Sequence, residues 1–184
     1  MQAKINKTKN LILYTLLIML FTQCYSSFQD DELLLPLKPY VGNELRIDGY
    51  CYNEWISIDG DKFFKGYIFY ENGVMLSINS GFLSISELEE SLIKNYINEK
   101  FNYKDRKYVW GKFVIENNII KFERWYPASI NWKGYIREGI ILNDTTFHIT
   151  KSYRSNGTNI SVEDEIYHFR QFSPKPDSTN NFIK

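Results

Sequence analysis

The stretch WGKFVIENNIIKFERW, residues 110–125, decides the fold of this chain. Asn117 and Asn118 both tolerate positive φ, so a two-residue turn placed on them pairs position 116 with 119. The register follows outward from that turn. On one side Ile115 faces Ile120, Phe113 faces Phe122 and Gly111 faces Arg124. On the other, Val114 faces Lys121, Lys112 faces Glu123 and Trp110 faces Trp125. An opposite-charge pair and an aromatic pair fall into register together, which is how side chains across two strands stabilise a hairpin. The first side is expected to point to a core, and Lys112 and Glu123 to solvent.

Two more turns extend the pattern. Asn72-Gly73 sets Phe69 opposite Leu76 and Tyr67 opposite Ile78, with Tyr70 facing Met75 on the other side. A turn at Asn143 and Asp144 pairs Ile140 with Phe147 and Glu138 with Ile149. Residues 45–52 and 165–171 add a strand at each end. One segment breaks the β pattern: SISELEESLIKNYINEKF, residues 84–101, where Ile85, Leu88, Leu92 and Tyr96 recur at steps of three and four and Ser86 stands three before Glu89, the spacing of a capping box. This predicts an amphipathic helix resting its stripe on the sheet. Eight antiparallel strands joined by short turns are best satisfied by closing the sheet, which removes its edges. The expected fold is mainly β: an antiparallel meander of about eight strands closed into a barrel over residues 41–172, with one helix inserted after the third strand.

The opening strand Asp48-Gly49-Tyr50-Cys51-Tyr52, with Tyr where the family carries Trp, and the WGKFVIENNIIKF hairpin resemble the lipocalin-like, or calycin-type, small barrels often found on bacterial lipoproteins. The resemblance spans residues 45–172. It implies a barrel interior able to hold a small apolar ligand. The helix follows the third strand here instead of the last, and the family's glycine-x-tryptophan motif is absent.

The N-terminus has its own logic. MQAKINKTKN carries Lys4, Lys7 and Lys9 and no acid, and it precedes the apolar run LILYTLLIMLF, residues 11–21. That run is about half the roughly 20 residues a membrane-spanning helix needs. A basic start, a short apolar run and a polar stretch is the layout of a secretory signal. Cys24 follows directly, so residues 1–23 resemble a bacterial lipoprotein signal peptide. The resemblance implies acyl chains, palmitate among them, on Cys24 and attachment to the outer membrane; an uncleaved anchor or an ordinary signal peptide cut nearby is the rival. Residues 24–40, with Asp30, Asp31 and Glu32, are expected to form a tether. An acidic stretch at that place is similar to signals that send some lipoproteins to the cell surface. Residues 173–184, SPKPDSTNNFIK, are expected to be disordered.

Composition sets further bounds. The 184 residues hold 22 Lys plus Arg against 22 Asp plus Glu. Without residues 1–23 the balance becomes 19 basic against 22 acidic. A nucleic-acid partner would require a basic excess, so none is expected. The chain carries 14 Tyr, 13 Phe and 4 Trp. Tyr67, Phe113 and Phe122 are candidates to line a ligand cavity, and Trp110, Trp125 and Trp132 to form an outer face for a protein or glycan partner.

Candidate chemistry is sparse. His148 and His168 alternate with apolar residues and should face outward, with no nucleophile motif beside them. The carboxylates of Asp59-Gly60-Asp61 are too few for a calcium loop. Two Cys and two His at these spacings do not make a zinc site, so neither metal nor cofactor is expected and the chain reads as non-enzymatic. Arg124, across from a glycine on the apolar side, is the most informative residue. A buried guanidinium needs a counter-charge. Glu138, inward by the third register, is the expected internal partner; a ligand carboxylate or phosphate is the alternative.

Overall fold

A computed structural model describes residues 29–97 and 103–184. Its eight strands form one closed antiparallel barrel in chain order: β1 (Gly49–Ile56), β2 (Lys62–Phe69), β3 (Val74–Phe82), β4 (Trp110–Glu116), β5 (Ile119–Pro127), β6 (Trp132–Asn143), β7 (Thr146–Arg154) and β8 (Ser161–Gln171). β1 closes on β8 through Cys51 opposite Phe169. A helix, α1 (Ile85–Ser91), follows β3 and continues with wider π-type winding over Leu92–Ile97. The fold is the one expected, with the first strand displaced four residues along the chain and the last strand beginning four residues earlier than expected.

The β4–β5 hairpin has the anticipated register at every pair from Gly111–Arg124 to Glu116–Ile119, around Asn117 and Asn118 at φ 53° and 62°. Gly111 is required: a Cβ there would lie 2.1 Å from the Glu123 carbonyl oxygen and 2.7 Å from the Met75 sulfur.

The other two hairpins are shifted by one residue. At the β2–β3 turn, Phe69 faces Met75 and Tyr67 faces Ser77. The Tyr70 amide bonds the Val74 carbonyl and the Gly73 amide the Tyr70 carbonyl, so the loop has three residues with Gly73 at φ 81°. This is the glycine-bulge turn, not the two-residue one. At the β6–β7 turn, Ile141 faces Phe147, Glu138 faces Lys151, and bulges follow Glu138 and Ile141. A one-residue shift moves every side chain of one strand to the opposite face. Glu138 accordingly stands outside, within 3.2 Å of Lys121 and 3.0 Å of Lys151.

Two apolar cores result. The inner one fills the lower barrel with Phe69, Phe113, Phe122, Phe147, Tyr167, Met75 and Ile149, all at most 1% exposed. The Phe147 and Tyr167 rings stack at 4.8 Å. Cys51 lies here as a buried free thiol, its pKa pushed far up by burial. The outer core lies between the sheet and its coverings: Leu88, Leu92 and Tyr96 of the helical segment against Ile68, Leu76, Ile78 and Trp110. Ser84, not Ser86, caps α1, its hydroxyl accepting from the Glu87 amide, while the Glu87 carboxylate accepts from the Leu83 amide. The capping serine precedes the expected one by one half-turn because β3 runs on to Phe82.

Both flanking segments dock on the barrel. The first described residues, expected as a free tether, form a strap. The Asp31 amide bonds the Trp132 carbonyl, and the Leu34 and Leu35 amides donate to Glu123. The strap continues to Tyr40 and Leu45, which close the lower end against Phe113. The tail, expected to be disordered, also packs: Ile183 joins the outer core, Lys104 pairs with Asp177 at 2.8 Å, and Lys175 donates to the carbonyls of Ile47 and Phe69. Prolines and polar residues resemble disorder in composition, but here they run across a surface that needs covering.

The strap is tied by carboxylates. Burial raises the pKa of Asp31, yet hydrogen bonds from Arg154, Lys133 and the Gly134 amide outweigh it and hold the group below its ordinary value; Lys107 and the Trp132 amide do the same for Asp30. A depressed folded pKa contributes stability above the unfolded value, and that stability is lost as pH falls through the folded one. Acidification below about pH 4 is therefore expected to release the strap. Fluorescence of Trp125, whose indole N–H donates to the Asp31 carbonyl at 2.7 Å, should report it; a Trp125 signal flat down to global unfolding would contradict it.

Candidate functional site

The upper barrel is built differently from the lower. Going up β5, the inward positions run Ile120, Phe122, Arg124, Tyr126. On β6, Arg137 stands opposite Phe122 and Tyr135 opposite Arg124. On β8, Glu165 faces Ile149. Directly above the aromatic plug, the interior becomes ionic. Arg137, 8% exposed, has Nη2 2.5 Å from Glu165 Oε2 and 3.6 Å from Glu163 Oε2. Lys65 reaches Glu165 at 2.7 Å, the Tyr167 hydroxyl donates to it at 2.9 Å, and Ser152 donates to Glu163 at 2.6 Å. Burial raises the Glu165 pKa, but the Arg137 charge in close contact and the hydrogen bond from Lys65 outweigh it and keep the carboxylate ionised.

Arg124 is inward, as expected, but without the expected partner. It and Glu138 lie on opposite faces of the sheet, so the proposed pair does not form. No carboxylate among the described residues replaces it. Arg124 Nη1 donates to the Tyr108 carbonyl at 3.0 Å and the guanidinium stacks 3.9 Å over the Tyr126 ring. Its Nε has no hydrogen-bond partner, and neither does Nε of Arg137; Arg137 Nη2 makes its ion pair off the hydrogen-bond angle. The mouth thus sets three inward cations, Lys65, Arg124 and Arg137, against two carboxylates, Glu163 and Glu165.

Two adjoining cavities open here and share Tyr126 and Arg137. One of about 340 Å³ is lined by Tyr126, Pro127, Tyr135, Arg137, Ser152 and Glu163. The other, about 320 Å³, is bordered by Lys65, Tyr67, Ser77, Tyr108 and Arg124. The second exists because β3 and β4 pair over only three positions, 74–76 with 110–112, leaving a seam beside the 3-10 turn Lys107–Val109. A larger recess of about 550 Å³ lies outside the barrel between the tail and the β2–β3 turn, but its cation, Lys175, is already held by two carbonyls.

Of the residues singled out from sequence, Tyr67 and Arg124 border the mouth, whereas Phe113 and Phe122 belong to the packed plug beneath it. Trp110 and Trp125 face outward but are covered, at 0% and 5% exposed, and Trp132 stacks on Tyr108 at 5.5 Å. The outer tryptophan face expected for a partner is therefore occupied by the chain's own strap and turns. His148 faces outward and touches Asp164 at 2.7 Å, and His168 is exposed. Among the described residues no group of three His, Cys, Asp or Glu side chains is placed to hold a metal. Cys24 lies outside the described residues. Sequence reasoning missed Arg137, Glu163, Glu165 and Lys65; the signal available was the ionic-aromatic alternation of β8, Glu163, Glu165, Tyr167, Phe169, read as a strand with an inward face.

Comparison with protein-family models, with curated proteins and with solved structures finds no match.

Proposed function

We propose that this chain is a non-enzymatic envelope lipoprotein whose barrel binds a small amphipathic anion, its charged head resting on Arg124 and Arg137 and its apolar body lying between Tyr126, Tyr135 and Pro127. The observation that carries the reading is Arg124: a guanidinium inside the barrel, beside a cavity, with an idle Nε–H and no carboxylate partner among the described residues. Leaving a charge in a poorly solvated interior is costly unless an anion completes it. Guanidinium forks suit carboxylates and phosphates. The packed lower barrel limits the ligand to the upper half, so the small apolar ligand implied by the lipocalin-like resemblance becomes one with an anionic end. The anchoring half of the proposal rests on the sequence around Cys24, and mass spectrometry of the membrane fraction tests it by an acylated peptide starting at Cys24.

Calorimetric titration of the full chain with dodecanoate and with dodecanol tests the binding half. Dodecanoate is expected to bind at least about tenfold more tightly than the alcohol, and Arg124→Gln to remove about that factor for the carboxylate alone. Equal affinity for both probes would remove the anionic head from the proposal, and no binding of either would remove the ligand.

A further inference from the structure

We propose that the open mouth of the barrel faces a lipid bilayer, with the loop tips around it seated in the headgroup and acyl boundary. Because neighbouring strands are antiparallel, four connections gather at the mouth end, and each carries an exposed aliphatic side chain. These are Ile58 between β1 and β2, Leu83 between β3 and α1, Ile130 between β5 and β6, and Ile160 between β7 and β8. Val162, 88% exposed, follows Ile160, and Trp55 and Ile56 precede the first loop. The tips of the three turns at the opposite end are polar instead, with Glu71 and Asn72, Asn117 and Asn118, and Asp144 and Thr145, although Val41, Ile119 and Leu142 are exposed beside them. Apolar tips ringing one opening of a barrel mark an interaction surface.

The point where the described chain begins says what covers it. The Gln29 carbonyl accepts from the Asn131 side chain at 3.0 Å, next to Ile130 in the β5–β6 loop. The described chain therefore begins at the mouth end. Four residues lie between Cys24 and Gln29, so the five steps along the chain reach at most about 18 Å when fully extended. This step rests on the proposed lipidation of Cys24: acyl chains there would hold the rim, and not the opposite end, against the membrane. Asp59 and Asp61 follow Ile58 in the same loop, so the contact is apolar and not an attraction to anionic lipid. An amphipathic anion could then enter the cavity without crossing water.

The test uses the full chain with a single added cysteine carrying a nitrobenzoxadiazole label, Ile58→Cys, Ile130→Cys or Ile160→Cys at the mouth and Asp144→Cys at the other end. Cys51 is buried and stays unlabelled. In phosphatidylcholine vesicles doped with spin-labelled lipid, the mouth labels are expected to shift blue and lose fluorescence while the label at 144 does neither. An acylated chain whose mouth labels stay unquenched overturns the orientation and leaves the anchor standing. If the N-terminal peptide proves unacylated, the anchor fails separately; with Cys24→Ser added so that each chain carries one label, quenching of the mouth labels on added vesicles would still uphold the docking, and its absence would end it. A blue shift without vesicles, in chain that sediments as a dimer, would assign the rim to a second copy instead.

Discussion

Glu165→Ala is expected to destabilise the barrel by about 3–5 kcal/mol, the cost of removing one partner from a buried ionic cluster. Glu165 is the shared counter-ion of the mouth: Arg137 at 2.5 Å, Lys65 at 2.7 Å and the Tyr167 hydroxyl at 2.9 Å all converge on it. Alanine would leave two cations and a hydroxyl facing one another, with Glu163 as the remaining carboxylate and already 3.6 Å from Arg137. Glu165→Gln separates charge from hydrogen bonding, since its amide oxygen still accepts from Lys65 or Tyr167. It should lose roughly half as much. The sign of the pH effect follows from the depressed pKa of Glu165. Its contribution is full above about pH 5 and fades as pH falls through the folded value, so wild type and variant should converge in acid. Chemical denaturation of both proteins between pH 7 and pH 3 measures this. A constant gap across that range, or a loss under about 1 kcal/mol at neutral pH, would mean that the cluster does not hold the mouth together. The same variant frees two cations, so it should bind dodecanoate no more weakly than wild type, which separates a structural role from a ligand contact.

What was legible in the sequence follows a physical line. The β4–β5 register could be read because Asn117 and Asn118 define a two-residue turn without competition, and charge and aromatic pairs confirmed it from both sides. At Asn72-Gly73 and Asn143-Asp144 the same residues also suit turns with one more residue or a bulge, and sequence does not separate these. The consequence was an inverted face for Glu138, and with it a counter-ion assigned to Arg124 that points the other way. Arg137, one residue earlier on β6, carries the inward charge instead. The site was half visible for the same reason: Arg124 lies on the strand whose register was secure, whereas Arg137 and Glu165 depend on bulged strands. Outward-facing residues misled differently. Lys112, Glu123, Trp110 and Trp125 do point away from the barrel axis, but alternation along a strand says only which face a side chain takes, not what covers that face.

Glu123 shows how much that covering matters. An outward carboxylate opposite a lysine reads as a solvated pair, yet Glu123 is 0% exposed. Its Oε1 accepts from the Leu34 amide at 2.9 Å and from the Ser155 hydroxyl, and its Oε2 from the Leu35 amide at 2.6 Å. Lys112, its cross-strand neighbour, turns to the Leu33 carbonyl at 3.2 Å. The strap, extended and unpaired with any strand at this point, would otherwise bury two amides without acceptors, so the carboxylate substitutes for the edge of a sheet. Glu123→Ala should therefore cost about 3–4 kcal/mol, because each stranded donor loses a charge-assisted bond and retains its desolvation penalty. The loss has a distinct location. Hydrogen exchange at the amides of Leu34 and Leu35 should accelerate toward that of a free segment while amides of the inner core, such as Phe122 and Phe147, keep their protection relative to global stability. Glu123→Gln, able to accept on one oxygen only, should restore one of the two amides. Uniform loss of protection across the barrel would instead show that the strap folds as one unit with the strands, and unchanged exchange at 34 and 35 would show that Glu123 does not hold it.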